Sequence, residues 1–558
     1  MTLDTTTLAP RQSAVLDSAH TGDIQGALGT IRLGETGVTT GRSRFSRRMR
    51  TLLAVVGPGL IVMVGDNDAG AFGTYTQAGQ DYGTRLLWTL LLLVPVIYVN
   101  QEMVLRLGAV TGVGHARLIL ERFGRFWGAF CVVDLFVLNA LTIVTEFVGI
   151  TLGLRYLGLP TVPGVVVAVL LVVAATSTGS FRRFERVSLA LVAGSLVLVP
   201  VAFMVHPPVG QIAHDALVPG LPGGTGQLST VMLLVIAIVG TTVAPWQLFF
   251  QQSYVIDKRI TPRFLRYEKV DLWIGIVIVV LGAGAMMSFS AAAFAGHLGG
   301  FTDAAGVAAG LAATGGRLAG VLFAIALIDA SIIGAAAVGL STTYAVGDLL
   351  GVKHSLHRTV RDAKAFYAVF ALLLAGSAVV VLIPGSPLGL LTEGVQTLAG
   401  VLLPSATVFL LLLCNDKAVL GPWVNSWRTN VFAGFVVAVL VMLSVILTAA
   451  VVFPALSGQT MLTVLGVGTG LTVVGGLVFG LVRLVRRGRA VGGGATSAPG
   501  PCDEAVPDRT TWRMPPLALL ERPAMSVSRR LGLGVMWAYL VLVCGLVVLR
   551  VVQIALGH

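Results

Sequence analysis

Asp66, Asn67 and Asp68 stand together in "VGDNDAGA" (64–71), after the apolar run "LLAVVGPGLIVMV" and before a Gly-dotted segment that leads to another apolar run from Leu86. Carboxylate and amide oxygens are hard donors, and their shared chemistry is the binding of hard cations. Ionisable groups inside an apolar segment are expensive and mark functional sites. Gly65 and Gly70 flank the triplet, and Asp and Asn favour local side-chain to backbone bonds, so a helix should break here or end in a short re-entrant segment. A second interruption lies at Gly240, Thr241, Thr242 and Ala244-Pro245 in "STVMLLVIAIVGTTVAPWQLFFQQSY", with Trp246 and Gln247 next in line. Pro245 lacks an N–H and clashes with the carbonyl four residues back, so this helix must kink or open.

The elements that carry these residues are membrane spans. The chain has 558 residues, 55% hydrophobic and 11% charged, with mean hydropathy +0.88; a soluble protein would carry about 25% charged residues. Apolar stretches recur from Leu52 to Leu556 without the alternation of a barrel, which makes the chain an all-α polytopic membrane protein. Spans are expected near 52–79, 85–107, 126–154, 162–177, 187–205, 228–253, 270–295, 317–350, 365–384, 391–414, 430–453 and 460–482.

The net charge of +12 suggests nucleic acid until its placement is read. Arg42, Arg44, Arg47, Arg48 and Arg50 precede the first span, and Arg/Lys clusters follow spans two, four, six, eight, ten and twelve. The opposite loops are nearly bare; 206–227 and 384–389 have neither residue. This is the positive-inside pattern, which predicts a cytoplasmic N-terminus in a multi-pass plasma-membrane protein that sits in a lipid bilayer and binds no nucleic acid.

The breaks fall in spans one and six. Each unit then has five spans, an odd number, so the second unit is inverted. Interrupted segments at matching positions of inverted repeats point to a midplane ion or substrate site in a secondary transporter. The organisation read from the sequence is a largely disordered tail (1–50), a transport core (51–415), two accessory spans (416–487), a Gly/Pro-rich flexible linker (488–530) and an additional C-terminal span (531–558). Cys131, Cys414, Cys502 and Cys544 have no metal-ligand spacing and read as free thiols. There is no catalytic constellation and no Walker sequence, so neither an enzyme nor a bound cofactor is expected.

The motifs resemble those of the Nramp divalent-metal transporters, which have a LeuT-type 5+5 inverted repeat with broken helices one and six. "GPGLIVMVGDNDAGAFGTYTQAGQDYGTRLLW" is similar to the family's first span with its Asp-Pro-Gly-Asn motif, "TTVAPWQLFFQQS" to the sixth-span Met-Pro-His-Asn motif, and "IVTEFVG" to the third-span Asp-x-x-Glu-Val-x-Gly motif. By that resemblance Asp68 keeps the metal-binding carboxylate. Ala69 and Ala71 stand where the family has Pro and the ligand Asn, and Asp66 is an added acid. Ala244 replaces the Met ligand, Trp246 the proton-linked His and Gln247 the Asn. Glu146 is kept, and Ile143 stands where a proton-accepting Asp would be. Gln396 in "EGVQTLAG" resembles a tenth-span Gln that approaches the ion. The pattern is similar to the Nramp-related magnesium transporters.

A thioether favours softer metals, and here it is gone. The remaining donors are oxygens: Asp68, Asp66, Gln247 and the backbone at Gly65, Thr241 and Ala244, with Ala71, Trp246, Gln396 and Glu146 around them. Mg²⁺ dehydrates reluctantly and is bound through one or two carboxylates plus waters. The expectation is therefore Mg²⁺ carried as substrate, with Mn²⁺ also accepted. Trp246 and Ile143 do not titrate, so entry is expected to be uncoupled and potential-driven. The rivals are a proton-coupled Mn²⁺/Fe²⁺ importer, an organic-solute carrier whose substrate carboxylate the two Asp would repel, and a non-transporting membrane scaffold or sensor. A monomer is a plausible state. Glu102 and Arg106 read as an i, i+4 ion pair, Asp134 and Asn139 as vestibule residues or interhelical bonds, Asp329 as open, and His297, His354 and His357 as solvated.

Overall fold

The computed structural model describes residues 22–32, 44–222, 228–385, 388–453, 456–492, 509, 512, 514–520 and 529–542. A short antiparallel hairpin, β1 (Ile24–Gly26) and β2 (Gly29–Ile31), comes first. The first unit follows: α1 (Arg44–Val55), α2 (Pro58–Val64), α3 (Ala69–Tyr82), α4 (Leu87–Thr111), α5 (His115–Phe123), α6 (Arg125–Tyr156), α7 (Thr161–Thr176), α8 (Phe181–Gly194), α9 (Leu198–Val205) and α10 (Val209–Leu217). The second unit runs α11 (Leu228–Thr242), α12 (Pro245–Asp257), α13 (Leu265–Ala293), α14 (Ala304–Gly315), α15 (Arg317–Leu350), α16 (Lys364–Leu382) and α17 (Leu388–Cys414). Then come α18 (Lys417–Leu420), α19 (Trp427–Val452) and α20 (Gly458–Gly492).

Among the described residues nine helices or helix runs are long and apolar enough to cross a membrane. Three expected spans fall outside that count. The first is divided among α1, α2 and α3, α7 has only 16 residues, and side chains along much of α17 lie outside the described set. Leu170, Leu171, Val166 and Val167 of α7 are exposed, as a lipid-facing helix requires. A protein-facing core is built where α6 packs on α15 and α13 on α2 and α3.

Polar residues inside the bundle mostly join helices. Asn139 donates to Thr342 (2.8 Å), and Ser405 donates to Asp134 (2.7 Å). Glu102 pairs with Arg106 at 3.2 Å and with Lys269 at 2.9 Å. Asp329 lies against Gly194. Cys131 and Cys414 are free and buried; Cys502 and Cys544 lie outside the described residues.

Three expectations change. The tail read as largely disordered contains the β1–β2 hairpin, which is too short for periodicity to reveal. It is held by contacts distant in sequence: Ile24 is buried against Val55 and Ile260, the Ala27 N–H donates to Glu185, and Arg259 donates to the Asp23 carbonyl (3.1 Å). The stretch read as linker starts later, since α20 continues to Gly492, and part of it docks: Trp423 donates to the Arg509 carbonyl (2.7 Å). Of the expected last span, 529–542 is helical and the remainder lies outside the described residues. Finally, His354 and His357 are packed rather than solvated. His354 pairs with Asp348 (3.1 Å), and His357 lies 3.0 Å from the Asp257 carbonyl while stacked on Phe181; His297 is exposed.

Candidate ion site between two broken helices

α2 ends at Gly65, and the next two N–H groups make short three-residue-back bonds, Asp66 to Met63 (3.2 Å) and Asn67 to Val64 (3.1 Å). The chain then turns extended at Asp68, whose carboxylate accepts the Ala71 N–H (2.9 Å) and caps α3. Such a cap satisfies a free N–H at a helix start, the reason Asp is favoured there. Glu146 supports the same end from α6 by accepting the Ala69 N–H (3.2 Å), and its carboxyl group also touches that of Asp68. Space for Glu146 comes from Gly334 on α15, where a Cβ would lie 2.6 Å from the carboxyl carbon.

The other break is shorter. Val243 still bonds to Val239, Ala244 is extended, and Pro245 opens α12 at a first-turn position that needs no N–H. The Ala244 carbonyl accepts from the Gln247 N–H at 3.2 Å. The two breaks lie side by side. Gln247 donates from its side-chain nitrogen to Asp66, the hydroxyls of Thr74 and Thr241 are 3.4 Å apart, and those of Tyr75 and Thr242 are 2.8 Å apart. Trp246 and Ile333 flank Gly65.

Asp66, Asp68, Glu146 and Gln247 are thus brought together, each at most 4% exposed. Gln247 differs from expectation in one respect: its nitrogen, not its oxygen, faces Asp66, because a carboxylate accepts and an amide N–H donates. Ala71 gives its N–H to Asp68, and it is Ala69, Gly73 and Thr74 that line the adjoining cleft. Asn67 turns away and donates to the Val279 carbonyl (3.2 Å). Gln396 is on α17, and its side chain lies outside the described residues. Among the described residues no three His, Cys, Asp or Glu side chains form a metal-holding group. Any ion here therefore draws its remaining ligands from amide, carbonyl or water oxygens.

A small cleft of about 20 Å³ runs from Ala69 past Gln77 and Leu327 to Phe301, Asp303 and Gly389, on the face whose loops are poor in Lys and Arg. Toward the basic face the way is filled by rings. Trp246, Phe250 and Tyr254 recur at i, i+4 on α12 with centroids 6.4 and 5.2 Å apart, and Phe181 extends the row, tilted against Tyr254 at 4.9 Å. The sequence reading missed this stripe, although its four-residue spacing was visible. It also missed Gln101 on α4, which donates to the Gln247 side-chain oxygen (3.0 Å); the signal was the polar triplet Asn100-Gln101-Glu102 inside an apolar run.

Two apposed broken helices with polar groups at the breaks, in a bundle of apolar spans, are the arrangement of a secondary transporter of the LeuT type. Comparison with known proteins agrees. The family described as Nramp, natural resistance-associated macrophage protein-like, matches residues 59–450. The chain is 30% identical over 414 residues to the divalent metal cation transporter MntH of Ralstonia nicotianae, which covers 70% of this chain and 89% of that one. The manganese transporter of Eremococcus coleocola, solved with an aromatic bis-isothiourea compound, superposes with a TM-score of 0.60 at 20% identity, over 81% of this chain and 99% of that one. A mutant of the same Eremococcus transporter aligns at the same TM-score with 19% identity, over 81% of this chain and 98% of that one. The chain belongs to the Nramp family.

Proposed function

We propose that this transporter carries a divalent cation, Mg²⁺ by preference with Mn²⁺ also accepted, by uncoupled, potential-driven uptake through alternating access. It works in the plasma membrane with its N-terminus in the cytoplasm. The observation that carries the reading is the donor set where the breaks meet: Asp66, Asp68 and Gln247, with Ala244 in place of any sulfur. Carboxylate oxygens suit Mg²⁺, and the small side chain of Ala69, which lines the adjoining cleft, leaves room for water the ion keeps. Carriage of divalent metal by the Ralstonia relative supports the substrate class. The cleft lies on the face assigned to the outside, so the ion enters along Thr74 and Ala69. Uptake is favoured by about 2.3 kcal/mol per charge per 100 mV, doubled for a divalent ion.

The contact between the Asp68 and Glu146 carboxyl groups favours a second reading, in which Glu146 exchanges a proton as the ion comes and goes. Uptake of Mg²⁺, Mn²⁺ and Cd²⁺ into liposomes tests the substrate. Wild type should move Mg²⁺ and Mn²⁺ and leave Cd²⁺, and Asp68→Ala should abolish uptake. Normal transport by Asp68→Ala would place the site elsewhere.

A further inference from the structure

Gln101 lies on α4, outside both broken spans, and its side chain holds one end of a three-member chain. Its side-chain nitrogen donates to the Gln247 oxygen at 3.0 Å, and the Gln247 nitrogen donates to Asp66. Gln101 and Gln247 are fully buried, and Asp66 is 2% exposed. The chain's polarity is set from the Asp66 end, because a carboxylate only accepts. One atom is left over: the Gln101 oxygen is buried with no hydrogen-bond partner among the described residues. A buried acceptor without a partner is rare and asks for a reason.

We infer that Gln101 is a positioning residue that lets the Gln247 amide rotate when a cation binds. This rests on the cation-transport reading above. An amide N–H directed at Asp66 opposes a cation on that carboxylate. For Gln247 to serve as a ligand its side-chain amide must turn over, oxygen toward the ion and nitrogen toward α4. That nitrogen then needs an acceptor, and turning the Gln101 amide over brings its unpartnered oxygen to the place. Ligation of the ion by Asp66 and Gln247, release of their mutual hydrogen bond and reversal of the Gln101–Gln247 bond are one event. Ligation of the ion by Gln247 is then controlled from a residue one helix away.

The test is a double-mutant cycle on the half-saturating Mg²⁺ concentration for liposome uptake, using Gln101→Met and Gln247→Met, with maximal rate and thermal unfolding recorded for each. Gln101→Met removes the amide at nearly constant shape. It should raise half-saturation about fivefold or more with maximal rate within about twofold, and should have no further effect in the Gln247→Met background. A second cycle uses Gln101→Glu, which can only accept and so favours the turned amide. It should lower half-saturation, and Gln247→Met should remove most of that gain, whereas a plain charge effect would persist. Effects that multiply independently in both cycles, or an unchanged half-saturation in Gln101→Met, would overturn the relay while leaving the transport reading intact. If wild type moves Mn²⁺ but not Mg²⁺ the cycles are run with Mn²⁺, and if it moves neither, the transport reading and the relay fall together.

Discussion

In the proposed site, Ala244 sets the softness of the donor set by what its side chain lacks. It is the extended residue that opens the second break and is 6% exposed. Ala244→Met would return a thioether to that turn, and softer metals favour sulfur. The expected outcome is new Cd²⁺ uptake and a half-saturating Mg²⁺ concentration raised about tenfold, read in a liposome flux assay. An unchanged metal preference would mean that this residue does not face the ion. Asp66 and Asp68 were legible in the sequence because charge in an apolar run is costly wherever it sits. The direction of the Gln247 amide was not, because it depends on a carboxylate 181 positions away.

At the scale of elements, the breaks were readable from Gly, Asp and Pro chemistry, and α2/α3 and α11/α12 fall where that chemistry put them. The hairpin was not readable, since three-residue strands carry no pattern and their partners are remote. Its seat is close-fitting: a Cβ on Gly26 would lie 2.1 Å from the Ala54 carbonyl oxygen on α1. Gly26→Val should therefore release the hairpin, seen as faster amide exchange and new proteolysis over 22–32, with α2 and α3 unchanged. Protection equal to wild type would refute that docking. Nearby, Glu185 and Lys258 form a buried pair at 2.5 Å, and Lys258 also donates to the Val56 carbonyl (2.7 Å). Breaking such a pair by Lys258→Met should cost about 3–5 kcal/mol, measurable by unfolding in detergent.

The loop after α15 shows why histidines misled the sequence reading, for loop position says nothing about what folds over it. Burial opposes charge on His354, but the hydrogen bond and charge of Asp348 outweigh it and hold the ring above its usual value of 6.5. A group raised on folding stabilises fully below its unfolded value and loses that contribution as pH rises through the folded one. Amide exchange over 351–363 should therefore be slower at pH 5.5 than at pH 8.5 by more than the intrinsic pH effect, roughly the two sides of an unperturbed histidine. His354→Gln should erase the difference.

As a whole molecule the transporter is asymmetric. A cleft reaches Ala69 from the face poor in Lys and Arg, and a stack of aromatic rings fills the path toward the basic face. Nine of the expected spans were visible in the sequence and recur among the described residues, because a bilayer forces long apolar runs. Which face is open was not, because it depends on how rings of one helix meet those of another. The absence of a titrating side chain at Ile143 and Trp246 makes the membrane potential the driving force in this account. The direct measurement is Mg²⁺ uptake into liposomes with an internal pH-sensitive dye and a potential set by a K⁺ gradient and valinomycin. The account predicts uptake that scales with an inside-negative potential and leaves the dye unchanged, whereas stoichiometric acidification with the metal would contradict it.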